Sequence, residues 1–315
     1  MKFIHKYNYL SIPGGVVRLS LTNQCNMDCF YCHNEGQNKT NNQYLSFQDF
    51  KFITQLTKKF GLIGFSLTGG EPLLNPDFSK ILLYINKLCL KKIDVCTNGV
   101  LIEKFLKVFS QIKGLDITIG LDRADPNKIS KQSSDGVSFK QIDRNIQFLK
   151  KAKIEVSINS VLSKNNLKEI EQVIEYARDN QIKMRVIEED TFMSLTKKLI
   201  TDRFRDSIQK IINKYKLTLL GYSHPGKGYF AKHSNGTKIY FYNAKCHNQD
   251  CLNCVRCHLR INAKGEVIPC YANPSLTIPL LENKVEAENN FLKSLSMLGL
   301  SHKKINQQFI LNKSL

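Results

Sequence analysis

VVRLSLTNQCNMDCFYC, residues 16–32, opens as a β-rich run and closes on three cysteines spaced Cys-x3-Cys-x2-Cys. A strand that delivers reactive side chains directly from its C-terminal end is how parallel α/β barrels build active sites, from the loops leaving that end. Outward from this stretch the same unit recurs. Short β-rich runs stand at 63–67 (IGFSL), 92–96 (KIDVC), 115–121 (LDITIGL), 154–161 (IEVSINSV) and 183–187 (KMRVI). Helical patterns fall between them at 46–59, 76–90, 101–112, 138–151 and 166–180, the first with Ser46 and Asp49 in capping-box positions. Connections long enough for a helix imply right-handed βαβ units and a parallel sheet. Six strands are too few for a closed eight-stranded barrel. The expected fold is α/β, a partial (β/α)6 TIM-like barrel.

Beyond residue 200 the pattern changes. A helix is predicted over 201–215, then short strands near 217–222, 228–233 and 237–242. A Cys-rich loop follows, and HLRINAKGEVIPC (258–270) reads as a hairpin turning at Lys264-Gly265. The expected organisation is an N-terminal arm (1–15), a partial barrel (16–200), and a C-terminal region (201–315) carrying a small Cys-rich module at about 240–275.

The chain has 315 residues, ten cysteines and a formal charge of +19. Eight cysteines fall in two clusters, 25–32 and 246–270. That grouping suits metal or redox chemistry better than disulfides. No apolar run reaches the roughly 18 residues of a membrane span, and the N-terminus lacks a signal-peptide core, so a cytoplasmic protein without a membrane partner is expected. The positive field favours an anionic substrate or an acidic redox partner. The basic residues are dispersed and no RNA-recognition motif is present, so no nucleic-acid partner is expected.

Structural zinc takes four ligands, often as two separated pairs. Three thiolates in one short loop suit a cubane iron–sulfur cluster, which leaves one iron open to a small molecule. Taken alone, the three thiols also fit a zinc knuckle. With TGGEPLL (68–74) at the end of the second strand, the two motifs together resemble the radical S-adenosylmethionine (SAM) superfamily. The resemblance implies a [4Fe-4S] cluster on Cys25, Cys29 and Cys32 whose open iron chelates SAM, which is cleaved reductively to a 5′-deoxyadenosyl radical. It places Gly69, Gly70, Glu71 and Pro72 at the methionine moiety, Tyr31 near adenine, and Thr97 and Asn98 near the ribose. Gly120, Asp122, Asn159 and Arg185 complete the implied cofactor pocket. A flavodoxin- or ferredoxin-like reductant is implied as electron donor.

The second cluster, CHNQDCLNCVRCHLRINAKGEVIPC, resembles an auxiliary "twitch" module. Its implied ligands to a second [4Fe-4S] cluster come from Cys251, Cys254, Cys257 and Cys270, as a triad of either 251/254/270 or 254/257/270. A zinc ribbon fits the same spacing. Within the superfamily the chain is most similar to GTP 3′,8-cyclases, which implies substrate contacts from Arg18 and Arg256. It departs from them at Ser66 and Ser157, where those enzymes carry basic residues, and in ending FILNKSL rather than in a Gly-Gly tail. The first expectation is therefore a peptide-modifying radical enzyme, making an epimer, a crosslink or a thioether. The alternatives are a nucleotide-modifying enzyme of the cyclase type, and a non-enzymatic iron–sulfur or zinc protein. If Thr97 faces the cofactor, strand alternation turns Cys96 away into packing. Cys89 is expected in the core of an apolar helix.

Overall fold

The computed structural model describes residues 15–29, 31–32, 42–125, 138–189, 197–222, 228–242, 259–269 and 277–297. Cys251, Cys254, Cys257, Cys270 and Arg256, with residues 1–14 of the N-terminal arm, lie outside the described residues.

Six strands alternate with helices as the spacing predicts. They are β1 (Val16–Ser20), α1 (Phe47–Lys58), β2 (Gly64–Thr68), α2 (Phe78–Lys87), β3 (Lys92–Thr97), α3 (Ile102–Phe109), β4 (Leu115–Gly120), α4 (Phe139–Lys151), β5 (Glu155–Leu162), α5 (Leu167–Asp179) and β6 (Lys183–Glu188). β1 to β6 pair in chain order, every pair parallel. A helix α6 (Lys197–Lys214) leads to β7 (Thr218–Tyr222), β8 (Gly228–Lys232) and β9 (Lys238–Tyr242). β9 adds parallel to β6 and extends that edge. At the other edge β10 (Arg260–Ile261) adds parallel to β1, and β11 (Glu266–Ile268) and β12 (Ile278–Pro279) continue antiparallel. A last helix, α7, covers Ala287–Met297. The predicted hairpin turn is present, with Gly265 at φ 77° and its N–H on the Asn262 carbonyl at 2.9 Å.

Strand parity organises the molecule. Val17, Leu19, Phe65, Leu67, Ile93, Val95, Ile117, Ile119, Ile158, Met184 and Val186 point to the helix side and are buried there. Phe50, Ile53, Phe78, Ile81, Ile146, Ile170 and Val173 answer them from the helices. The opposite face of the same strands carries Arg18, Ser66, Asp94, Cys96, Thr118, Ser157, Asn159 and Arg185. Strands of a parallel sheet packed on both sides read as continuous apolar runs. Here every second residue is polar, because the inner face lines a chamber. The sheet curls around that chamber: Arg18 of β1 and Arg185 of β6 both act electrostatically on Cys96 of β3.

α1 begins as predicted. Ser46 Oγ accepts from the Asp49 N–H at 3.1 Å and donates to the Asp49 carboxylate at 2.7 Å. α2 ends at Lys87, short of the predicted boundary, so Cys89 is exposed at φ 51° rather than in the core.

Candidate functional site: a three-cysteine loop over a polar chamber

The C-terminal ends of β1, β2 and β3 are bound to one another through short loops. Beyond β1, Leu21 N–H donates to the Thr68 carbonyl at 2.8 Å, Gly70 N–H to Thr22 O at 2.8 Å, and Glu71 N–H to Gln24 O at 2.7 Å. Gly69 adopts φ 143°, and a Cβ there would stand 2.4 Å from the Thr22 carbonyl oxygen. Only glycine fits that approach. The closely approached backbone is therefore that of the loop entering the cysteines.

Glu71 is fully buried. Its Oε1 accepts from Leu73 N–H at 3.1 Å and Thr97 Oγ1 at 2.8 Å, and its Oε2 from Asn98 N–H at 2.8 Å. The glutamate caps the short turn Pro72–Leu74 and ties it to the loop after β3. Burial outweighs the three donors and holds the carboxyl up at about 7. Asn98 donates from Nδ2 to Asn26 Oδ1 at 2.8 Å and approaches Cys25 Sγ at 4.0 Å. The Thr97-Asn98 pair thus braces the glutamate and the cysteine loop, and the Thr97 hydroxyl is already engaged by Glu71.

Cys25, Cys29 and Cys32 are half-buried and free of disulfides. Burial raises the Cys25 thiol and pushes Cys29 up to about 12. Cys29 also feels the charges of Cys25 and Cys32. Burial disfavours the free thiolate at Cys25 and Cys29, and a strong cationic centre would offset that cost. The donor set therefore fits an iron–sulfur cluster. Among the described residues no three His, Cys, Asp or Glu side chains are gathered closely enough for a single metal ion.

Tyr31 donates its hydroxyl to Asp122 Oδ2, and Asp122 Oδ1 accepts from Val161 N–H at 2.6 Å. Burial raises both groups, Asp122 to about 6. This bridge ties the cysteine loop to the ends of β4 and β5, across the mouth of the chamber. Gly120, exposed at the end of β4, leaves the mouth open beside it.

Inside the chamber, Arg18 Nη2 donates to Thr68 Oγ1 at 3.1 Å and Arg185 Nη1 to Asn159 Oδ1 at 3.3 Å. Asp94 is buried at the centre, and its partners are Ser66, Cys96 and Thr118. Cys96 faces this chamber, which corrects the expectation that it turns into packing. The parity rule holds, but Thr97 lies on the helix-facing side and reaches Glu71 from there. Glu188 lies on that side too, three residues beyond the chamber-facing Arg185.

Three participants were missed from sequence. Asp94 lacked a motif. Arg260 is in register with Arg18 on the same sheet face, a placement that depends on the nonlocal β1–β10 pairing. Asn75, two residues beyond TGGEPL's proline-leucine turn, donates from Nδ2 to Leu21 O at 2.8 Å and Leu45 O at 2.9 Å, clamping the strand exits from behind.

The family model described as the Radical SAM superfamily matches residues 19–177. A probable GTP 3′,8-cyclase of Methanocaldococcus jannaschii is 27% identical over 87% of this chain and 90% of its own length. A GTP 3′,8-cyclase of Synechocystis is 30% identical over 66% of this chain and 67% of its own. Among solved structures, Streptococcus suis SuiB bound to S-adenosylmethionine aligns at TM-score 0.65 and 18% identity, over 88% of this chain and 65% of SuiB. anSMEcpe with bound AdoMet and a peptide aligns at TM-score 0.63 and 15% identity, over 91% of this chain and 84% of that one. At such identities the structural likeness shows the fold, a partial TIM-like barrel.

Proposed function

The chain belongs to the radical SAM superfamily, and on that premise we propose that it is an enzyme that takes a hydrogen atom from an anionic nucleotide held in the barrel chamber. The observation that carries the substrate class is the set of arginines on the inner face: Arg18 and Arg260 side by side on β1 and β10, and Arg185 on β6. Guanidinium groups on a half-buried polar wall recognise phosphate or carboxylate through charge-assisted hydrogen bonds. The cyclase names of relatives matched over most of their length support the nucleotide reading. Peptide modification, the first expectation from sequence, has only the fold likeness to SuiB and anSMEcpe behind it.

Cys25, Cys29 and Cys32 would hold the cluster, and Glu71 and the Gly69–Gly70 backbone would meet the methionine end of SAM. With both bound, the chemistry supplied is reductive cleavage of the sulfonium and a 5′-deoxyadenosyl radical. The chain's own work is positional. The Glu71 bracket fixes the loops after β2 and β3, the Tyr31–Asp122 bridge closes the cysteine loop over the chamber, and the arginines hold the substrate beneath it. Asn159 orients Arg185. Cys251, Cys254, Cys257 and Cys270 are proposed to supply an auxiliary cluster, with Arg256 beside it. A flavodoxin- or ferredoxin-like reductant and a cytoplasmic setting complete the reading.

The test is anaerobic. Reconstituted protein, SAM and dithionite are incubated with a purine nucleotide, and 5′-deoxyadenosine is quantified. Nucleotide should raise its yield at least severalfold, and the Cys25→Ala/Cys29→Ala/Cys32→Ala variant should make none. Arg185→Ala should raise KM for nucleotide by about tenfold, the loss of one charge-assisted contact. Stimulation by peptides and by no nucleotide would overturn the substrate assignment.

A further inference from the structure

Asp94 lies in the middle of the chamber wall and belongs to no motif. Its Oδ1 accepts from Thr118 Oγ1 at 2.8 Å; its Oδ2 accepts from Ser66 Oγ at 2.8 Å and from Cys96 Sγ at 3.4 Å. Thr118 is joined in turn to Ser157, Oγ to Oγ, at 3.0 Å. The carboxylate thus accepts from three neutral donors, on β2, β3 and β4, with Ser157 of β5 behind one of them, and only 3% of its surface is exposed. A carboxylate has about four acceptor positions, and three are filled here. The open one is on Oδ1.

Cys96 reports the charges that share this space. Burial comes first in raising its thiol to about 11, Asp94 raises it further, and Arg18 and Arg185 pull it down. Both guanidinium groups and the Asp94 carboxylate therefore act on one sulfur, within one chamber. Arg18, Ser66 and Asp94 stand in register on the same face of β1, β2 and β3, so an anion held by Arg18 lies against the wall that carries Asp94. A phosphomonoester brings about −1.5 to −2 charges at pH 7, and each further phosphoryl group adds roughly one more. A buried carboxylate in a low-dielectric wall opposes that addition strongly.

We infer that Asp94 is a specificity-determining residue: it admits a neutral N–H or O–H donor of the substrate at its open Oδ1 position and excludes a second anionic group, so the chamber takes a nucleoside monophosphate in preference to a triphosphate. This rests on the nucleotide reading above for the choice of ligand, but the charge selectivity itself does not.

Two measurements separate the inference from that reading. In equilibrium dialysis with the SAM-loaded, reconstituted protein, GMP should bind at least tenfold tighter than GTP. Asp94→Asn should shrink that ratio by about tenfold. Ser66→Lys, which sets a cation beside Asp94 and leaves the carboxylate in place, should act in the same direction. The second measurement needs no substrate. Cys96 is labelled with anionic sulfonatoethyl or cationic aminoethyl methanethiosulfonate and read by peptide mass mapping. Asp94→Asn should raise the anionic-to-cationic rate ratio about tenfold. An unchanged labelling ratio, or no labelling of Cys96 by either reagent, overturns the inference. So does GTP binding as tightly as GMP. A shifted labelling ratio with no nucleotide bound by either protein leaves Asp94's charge selectivity standing and discards the nucleotide reading.

Discussion

Glu71 shows how one side chain can be both bracket and liability. In the unfolded chain its carboxyl titrates near an ordinary glutamate, about 4.3. In the fold it titrates at about 7, chiefly through burial. The folded state therefore binds this proton more tightly than the unfolded state. The stability that this gives is complete below the unfolded value and is lost as pH rises through about 7. The loss is on the order of 3 kcal/mol. Urea unfolding of cluster-free protein should show stability falling by that order between pH 5 and 8. In Glu71→Gln, which has no charge to bury, the decline should flatten, and an equal slope in both proteins would remove Glu71 as its source. This tension has a functional sense, since an ammonium group arriving beside Glu71 would relieve it. The residue was legible from sequence as part of TGGEP. Its three internal donors were not, because they come from Leu73, Thr97 and Asn98, whose placement depends on how two strand ends meet. Cys96 was misread for a related reason. Strand parity was sound, but it was anchored on Thr97 facing inward, and nothing local reveals that Thr97 serves Glu71 instead.

At the scale of elements, the barrel was readable because its strands obey one rule throughout. Apolar side chains at every second position meet helices, and each helix shows its own stripe at helical spacing. Boundaries came within a few residues, with Cys89 the casualty where α2 stopped early. The edge additions were less legible. β10 and β12 are two residues each, and β10 exists as a strand through its parallel pairing with β1, from the far end of the chain. Such pairing has no signature in a short window. The strand exits also depend on a clamp. Asn75 spans the β1 exit and the segment before α1 through Leu21 O and Leu45 O, and its own Oδ1 accepts from Asp77 N–H at 2.8 Å. Asn75→Ala would take the donor from the buried Leu45 carbonyl, at about 1–3 kcal/mol, and one of two donors from the Leu21 carbonyl, which keeps the Leu45 N–H at 2.9 Å. A total loss of about 2–4 kcal/mol is expected in urea, by a lower midpoint at unchanged m-value. Asn75→Asp should do no better, since its oxygen would face the same carbonyls. Full stability in Asn75→Asp would mean that the clamp's hydrogen bonds contribute little.

The whole molecule is built asymmetrically about its sheet. One face buries a continuous apolar core that runs from Val17 to Leu295, so the C-terminal helix is part of the same core as the barrel. The other face gives up apolar packing for a polar chamber, and the stability must come from the helix side. The join between the barrel and α7 tests this. Phe291 is fully buried and meets Phe60, just beyond α1, at 5.0 Å between ring centroids. Beside it Lys59 pairs with Glu288, both about half exposed. Apolar burial should dominate here, because exposed ion pairs contribute about 0–1 kcal/mol whereas emptying a buried phenylalanine site costs about 3–5 kcal/mol. Phe291→Ala should therefore destabilise the protein by that larger amount, and Glu288→Ala by less than about 1 kcal/mol. If barrel and C-terminal helix are one cooperative unit, the Phe291→Ala transition stays single, with far-UV circular dichroism and tyrosine fluorescence superimposing. An early transition that removes helical signal and leaves the tyrosine signal of the barrel intact would show instead that α7 docks on a core already complete without it.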